Sequence, residues 1–201
     1  MQHLPECQLI MAKLKKDLPP HIHYHTIEHT MDVYDRAQFI AKEEGVSHSD
    51  IKLLLIAAIY HDAGYLKQNE DHELISCQMV REYLPQFSYS VDDIERICTL
   101  IMATKIPHKP KTHLEEIICD ADLDYLGRDD FFTIGEKLYL EFLELGKIFT
   151  RNEWNTIQVN FLQQHHFFTS TSISLRQTIK DKNLNILIQK TSIDEKNSFP
   201  Q

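Results

Sequence analysis

The apolar positions of this chain recur at helical spacing along nearly its whole length, and strand-like alternation is scarce. Ile94, Ile97, Leu100 and Ile101 fall on one helical stripe, as do Ile134, Leu138 and Phe142. The segment IKLLLIAAIY at 51–60 is apolar nearly all round, which marks a helix buried in the middle of a bundle. The pattern predicts helices near 4–17, 26–44, 49–63, 71–84, 91–104, 113–126, 129–145, 151–168 and 172–190. Stops fall at Gly45, Gly64, Pro85, Pro107, Gly127 and Gly146. Three starts carry a hydroxyl three residues before a carboxylate: Ser90 with Asp93, Thr112 with Glu115, and Thr150 with Glu153. No Asn-Gly or Asp-Gly hairpin signal, no repeat of solenoid length and no linker interrupts the pattern. The expectation is an all-α, single-domain bundle of about eight or nine helices over 1–195, with 196–201 as a disordered tail.

Composition narrows the setting. The chain has 201 residues, enough for one domain with a real core. The longest strongly apolar run, Leu53 to Tyr60, is far short of the roughly 20 residues a membrane span needs. The first residues show no basic stretch leading into an apolar region, so no secretory signal is read. Cys7, Cys77, Cys98 and Cys119 are scattered, with no C-x-x-C pair, and read as free thiols of a cytoplasmic protein. The net charge of -9, without a Lys/Arg cluster, disfavours duplex nucleic acid, which needs a basic face. A small anionic substrate stays compatible, because a bound divalent cation reverses the local field.

The candidate chemistry lies among 12 histidines. His21, His23, His25 and His29 cluster in HIHYHTIEHT, and a helix from about Thr26 sets His25 and His29 four apart on one side. His61-Asp62 closes the most apolar helix, where the pair is costly to bury without a partner and a metal ion is the most economical one. Asp120, Asp122 and Asp124 follow among Ile117, Ile118 and Leu123. Taken singly, a buried His or Asp is more often a hydrogen-bonded structural residue than a ligand. His21 and His23 read as solvent-exposed loop residues, and His3 and His48 as surface ones. His165 and His166, among Phe161, Leu162, Phe167 and Phe168, read as packing or supporting residues. No phosphate loop, H-E-x-x-H or G-x-S-x-G is present; His72-Glu73 is followed by Leu-Ile-Ser.

The ordered set H…HD…D, in Tyr24-His25-Thr-x-x-His29, His61-Asp62-Ala-Gly64 and Asp120-Ala-Asp122, resembles the HD superfamily of metal-dependent phosphohydrolases. The likeness covers roughly 20–130, and the helices over 131–190 fit the same domain. It implies one divalent cation held by His29, His61, Asp62 and Asp122 at the centre of a helical bundle. Asp122 is preferred to Asp120 because its Ala-Asp-x-Leu setting is the family's, which leaves Asp120 in a supporting or helix-capping role.

The resemblance also implies roles for the residues around the cation. Such a cation activates water and polarises a phosphoryl oxygen. Asp62 then accepts a hydrogen bond from the attacking water. His25, placed as in the similar cyclic nucleotide phosphodiesterases, protonates the leaving oxygen. His72, in His72-Glu73-x-x-Ser76, lies near the phosphate or a second metal, although Glu73 also suits a helix N-terminus. Thr104, where dinuclear relatives tend to carry histidine, favours one metal per chain, while His108 and His113 keep a second open. Arg128 is read either as a phosphate holder or as the partner of Asp129 or Asp130.

Histidine and carboxylate ligands suit Mn, Fe, Zn, Co or Ni better than Mg. The implied substrate is a small phosphorylated molecule: a phosphomonoester, a phosphodiester or a nucleotide. The HDAGY loop lacks the extra histidine and downstream asparagine of the cyclic nucleotide enzymes, so cyclic-nucleotide specificity is not implied. The alternatives are a di-iron oxygenase, drawing on His72 with His108 or His113, and a non-catalytic nucleotide-binding regulator.

Overall fold

The computed structural model describes residues 3–197, with side chains through 191. Among the described residues it forms nine α-helices and three short 3-10 turns, and no strand. The tail expected at 196–201 lies beyond the described side chains, and from Ser198 beyond the described residues. The chain falls into two compact units, Met1–Leu123 and Asp124–Gln201. No helix among the described residues is long and apolar enough to cross a membrane.

The first unit holds α1 (Pro5–Asp17), α2 (Ile27–Glu43), α3 (His48–Tyr60), α4 (His72–Tyr83), α5 (Val91–Ala103) and α6 (His113–Asp122). As its composition predicts, α3 is the central helix, buried at every position from Leu53 to Tyr60 and touched by α1, α2, α4, α5 and α6. Each buried Leu or Ile there contributes about 1.5–3 kcal/mol of hydrophobic stabilisation. On α5, Ile94, Ile97, Leu100 and Ile101 are all buried, as one stripe requires. The helix starts are capped: Ser90 Oγ accepts from the Asp93 amide at 3.1 Å and Thr112 Oγ1 from the Glu115 amide at 3.3 Å. All four cysteines are buried free thiols.

The predicted continuation of α3 to residue 63 does not form. Beyond Tyr60 the His61 carbonyl accepts the Ser76 hydroxyl at 2.8 Å, and the Tyr65 amide turns instead to the Asp62 carbonyl at 3.1 Å. The ladder thereby shifts to the tighter 3-10 turn Ala63–Leu66. Ser76 also accepts from the Gly64 amide at 2.8 Å, so one buried hydroxyl of α4 pins both ends of this loop. Gly64 is needed there because a Cβ would stand 2.0 Å from the His72 carbonyl oxygen.

The second unit begins with the 3-10 turn Asp124–Gly127, followed by α7 (Phe131–Glu144), α8 (Arg151–Gln164) and α9 (Ser170–Asn197). Thr150 and Glu153 form the full reciprocal capping box at the start of α8. That helix ends at Gln164, four residues earlier than predicted, because His165 adopts an extended conformation with ψ 138°. Asp124 is buried, accepting from Arg176 Nε at 2.7 Å and facing Arg128 Nη1 at 3.4 Å. The Asn183 amide donates to the Leu126 and Arg128 carbonyls and ties α9 to the turn.

The two kinds of glycine separate in a stability measurement. Gly64→Ala is expected to cost about 3 kcal/mol, since neither backbone segment can retreat. Gly45→Ala, at φ +71° with open space around it, is expected to cost about 1 kcal/mol from conformation alone. Urea denaturation of the two variants checks the order, and equal losses would contradict the close approach at Gly64.

Candidate metal centre

Three helix ends converge inside the first unit. His29 lies in the first turn of α2, His61 caps the C-terminus of α3 with Asp62 next to it, and Asp122 is the last residue of α6. One donor atom each of His29, His61 and Asp122 lies within 4.8 Å of the other two. His29 Nε2 donates to Asp122 Oδ1 at 3.1 Å, and His61 Nε2 is 3.4 Å from the same oxygen. Asp62 Oδ2 stands 3.1 Å from His61 Nε2 and 3.4 Å from His29 Nε2. The four residues named from the sequence are therefore neighbours, three in mutual reach and Asp62 against both rings. Asp120 is fully buried but does not join this group.

The ring orientations are set from behind. His61 Nδ1–H donates to the Ala58 carbonyl at 2.9 Å, which turns Nε2 toward the carboxylates. Burial by itself would lower the pKa of His29 and His61, yet the Asp122 and Asp62 carboxylates outweigh it and both stand raised, His61 well above its usual value. Burial would raise Asp62 and Asp122, and the same imidazoles outweigh it and hold both low. Even so, His61 Nε2 and Asp62 Oδ2 are buried with no hydrogen bond. Two carboxylates, two imidazoles and two buried atoms left without a hydrogen bond fit a divalent cation in donor type and charge.

Around this group stand the other predicted residues. His72 Nδ1–H donates to the Asn69 carbonyl at 3.0 Å, and its Nε2 lies 3.3 Å from Asp62 Oδ1. His25 Nε2 is hydrogen-bonded to the Tyr65 hydroxyl at 3.2 Å, and the two rings stack with centroids 4.1 Å apart. Tyr65 also lies against His72 at 4.3 Å, so one tyrosine positions both imidazoles. Neither Tyr65 nor Ser76 was singled out as a working residue; the visible signal was only their place in HDAGY and His72-Glu73-x-x-Ser76. His108 donates to the Thr104 carbonyl at 3.1 Å and is 3.9 Å from Asp122 Oδ2, and burial lowers its pKa.

The remaining candidates have other surroundings. His113 is exposed and faces Glu44 and Glu116, at 3.4 and 3.0 Å. Arg128 pairs with Asp130 at 2.9 Å, the ion-pair alternative of its two readings. His21 and His23 are half-buried instead of exposed, because Ile22 and Tyr24, which alternate with them along the chain, are drawn into the interior.

A helical bundle with a buried histidine–aspartate group at its helix ends defines the class. Residues 26–124 match the family model of the HD domain, so that stretch of the chain is an HD domain. A crystal structure of a predicted HD superfamily hydrolase from an uncultured Thermotogales bacterium aligns with a TM-score of 0.60, at 17% identity, over 99% of this chain and 97% of that one. That likeness bears on the fold. No curated protein matches the chain.

The protonation linkage has a definite sign. The raised His29, His61 and His72 lend stability that is complete below about pH 6.5 and is lost as pH rises through their folded values. The lowered Asp62 and Asp122 lend stability that is complete above about pH 3.9 and is lost on further acidification. Chelator-treated protein is thus expected to be more stable near pH 5.5 than at pH 8.5. Added Mn or Zn is expected to reverse that order, since ligation requires unprotonated imidazoles. Thermal melts at the two pH values, with and without metal, check both signs.

Proposed function

We propose that this chain is a metal-dependent phosphohydrolase acting on a phosphomonoester, phosphodiester or nucleotide. The HD domain supports a place among metal-dependent hydrolases, and the observation that carries the finer reading is the convergence of His29, His61, Asp62 and Asp122 on one buried locus. These four residues would hold the divalent cation. Bound there, it would make water a nucleophile near neutral pH and neutralise charge developing on the phosphoryl group. Asp62 contributes its second oxygen as acceptor for a proton of the attacking water. His25 protonates the leaving oxygen, which otherwise departs as a poor alkoxide. Tyr65 keeps that imidazole in place through the stacked ring and the 3.2 Å hydrogen bond. His72, beside Asp62, faces the same locus and is assigned to the phosphate.

A second reading rests on the positions of His72 and His108, each close to a carboxylate of the group. Together they offer donors for a second ion, as an oxygen-activating di-iron centre requires. Metal content separates the two. About one transition-metal ion per chain is expected from protein purified without chelator, and two irons would favour oxygenation.

The activity test uses generic phosphomonoesters and phosphodiesters together with nucleotides. Asp122→Ala is expected to lose metal and turnover together. His25→Ala is expected to keep the metal and lose about 10²–10⁴-fold in kcat. Loss of metal from His25→Ala would remove its assignment as proton donor. A metal-loaded chain inactive on all three substrate classes would overturn hydrolysis and leave nucleotide binding without catalysis.

A further inference from the structure

In the second unit, beyond the matched HD region, α7, α8 and α9 line an open cleft of about 380 Å³. Small-molecule sites run from roughly 300 to 1,000 Å³. Phe132 and Trp154 supply aromatic walls, with Leu187 as a further apolar surface. Asn155 and Gln158 also line it, three residues apart and so on one face of α8. Each is only 8% exposed, yet neither side-chain amide hydrogen-bonds to any described residue. The indole N–H of Trp154, 3% exposed, makes no such bond either. Their polar atoms are reached from the cleft, where they are open to water or to a ligand. Gly135 makes room for Gln158: a Cβ there would stand 3.0 Å from Gln158 Oε1.

The charges at the rim differ. Arg151 is bound by both guanidinium nitrogens to Glu136 at 2.7 Å, so its charge is already matched. Lys190 makes no ion pair with a described residue, and its Nζ lies 4.1 Å from the centroid of the Phe132 ring. Aromatic walls favour a planar ring, and paired amides match the mixed donor and acceptor edge of a nucleobase. A cation beside the ring adds an anionic group.

We propose that this cleft is a nucleotide-binding site, taking a nucleoside monophosphate with its base against the aromatic and amide lining and its phosphate at Lys190. It shares no residue with the metal centre, and it stands whether or not the chain hydrolyses phosphate esters.

The chain has one tryptophan, Trp154, so its intrinsic fluorescence reports on this cleft. The full chain is titrated with AMP, GMP, CMP, UMP, the matching nucleosides and inorganic phosphate. The expected result is a saturable change with at least one monophosphate at submillimolar concentration, weaker with its nucleoside and absent with phosphate alone. Lys190→Met, an exposed change that leaves the melting temperature in place, is expected to weaken binding about tenfold. Gln158→Leu is expected to abolish it, whereas Asp122→Ala, at the metal centre, is expected to leave the titration unchanged. No saturable change with any monophosphate would overturn the proposal. So would equal binding in the Lys190→Met and Gln158→Leu chains, or a response that phosphate alone reproduces.

Discussion

The repulsion between two carboxylates, the buried Asp62 and the half-buried Asp122, is what the architecture of the first unit has to offset. Both are held ionised by the imidazoles beside them, and neither imidazole escapes the effect, since each is raised in turn. Such a group is balanced by two positive charges, and two are supplied either by protons on His29 and His61 or by one divalent cation. The two states exclude each other because a ligating nitrogen cannot carry a proton. Proton release and metal uptake are therefore one equilibrium here.

The scaffold meets this constraint with helix ends. Helix termini carry unsatisfied backbone groups, and side chains there can turn away from the helix axis without breaking an interior ladder. His61 illustrates the device: its carbonyl is taken by Ser76, its Nδ1–H by Ala58, and its Nε2 is left for the charged group. Gly64 allows the following loop to lie against the His72 carbonyl, which brings α4 and its histidine beside Asp62. The central helix, apolar on all sides, provides a rigid floor from which this loop departs.

The second unit has a different kind of interior. Its turn is secured by a buried aspartate and an arginine from α9, and its three helices gather two amides and an indole around an open cleft. Their gathering in one place, beside a lysine with no ion pair among the described residues, is the physical basis for assigning a ligand there.

The helices and three of their caps were legible in the residues because both follow from local spacing: an apolar stripe every 3.6 residues, a hydroxyl three before a carboxylate. The pairing of His61 with Asp62 was legible for a related reason, since burying that dipeptide after eight apolar residues demands a partner wherever the chain goes. The order of His29, His61-Asp62 and Asp122 named the family. What tertiary structure alone decided are the contacts between segments distant in sequence. The early end of α3, Tyr65 between His25 and His72, and the exposed place of His113 depend on which helices meet. So does the amide-lined cleft of α7, α8 and α9. Local periodicity carries no information on those meetings, because the free energy of each is set by the neighbouring helix and not by the residue's own stretch of chain.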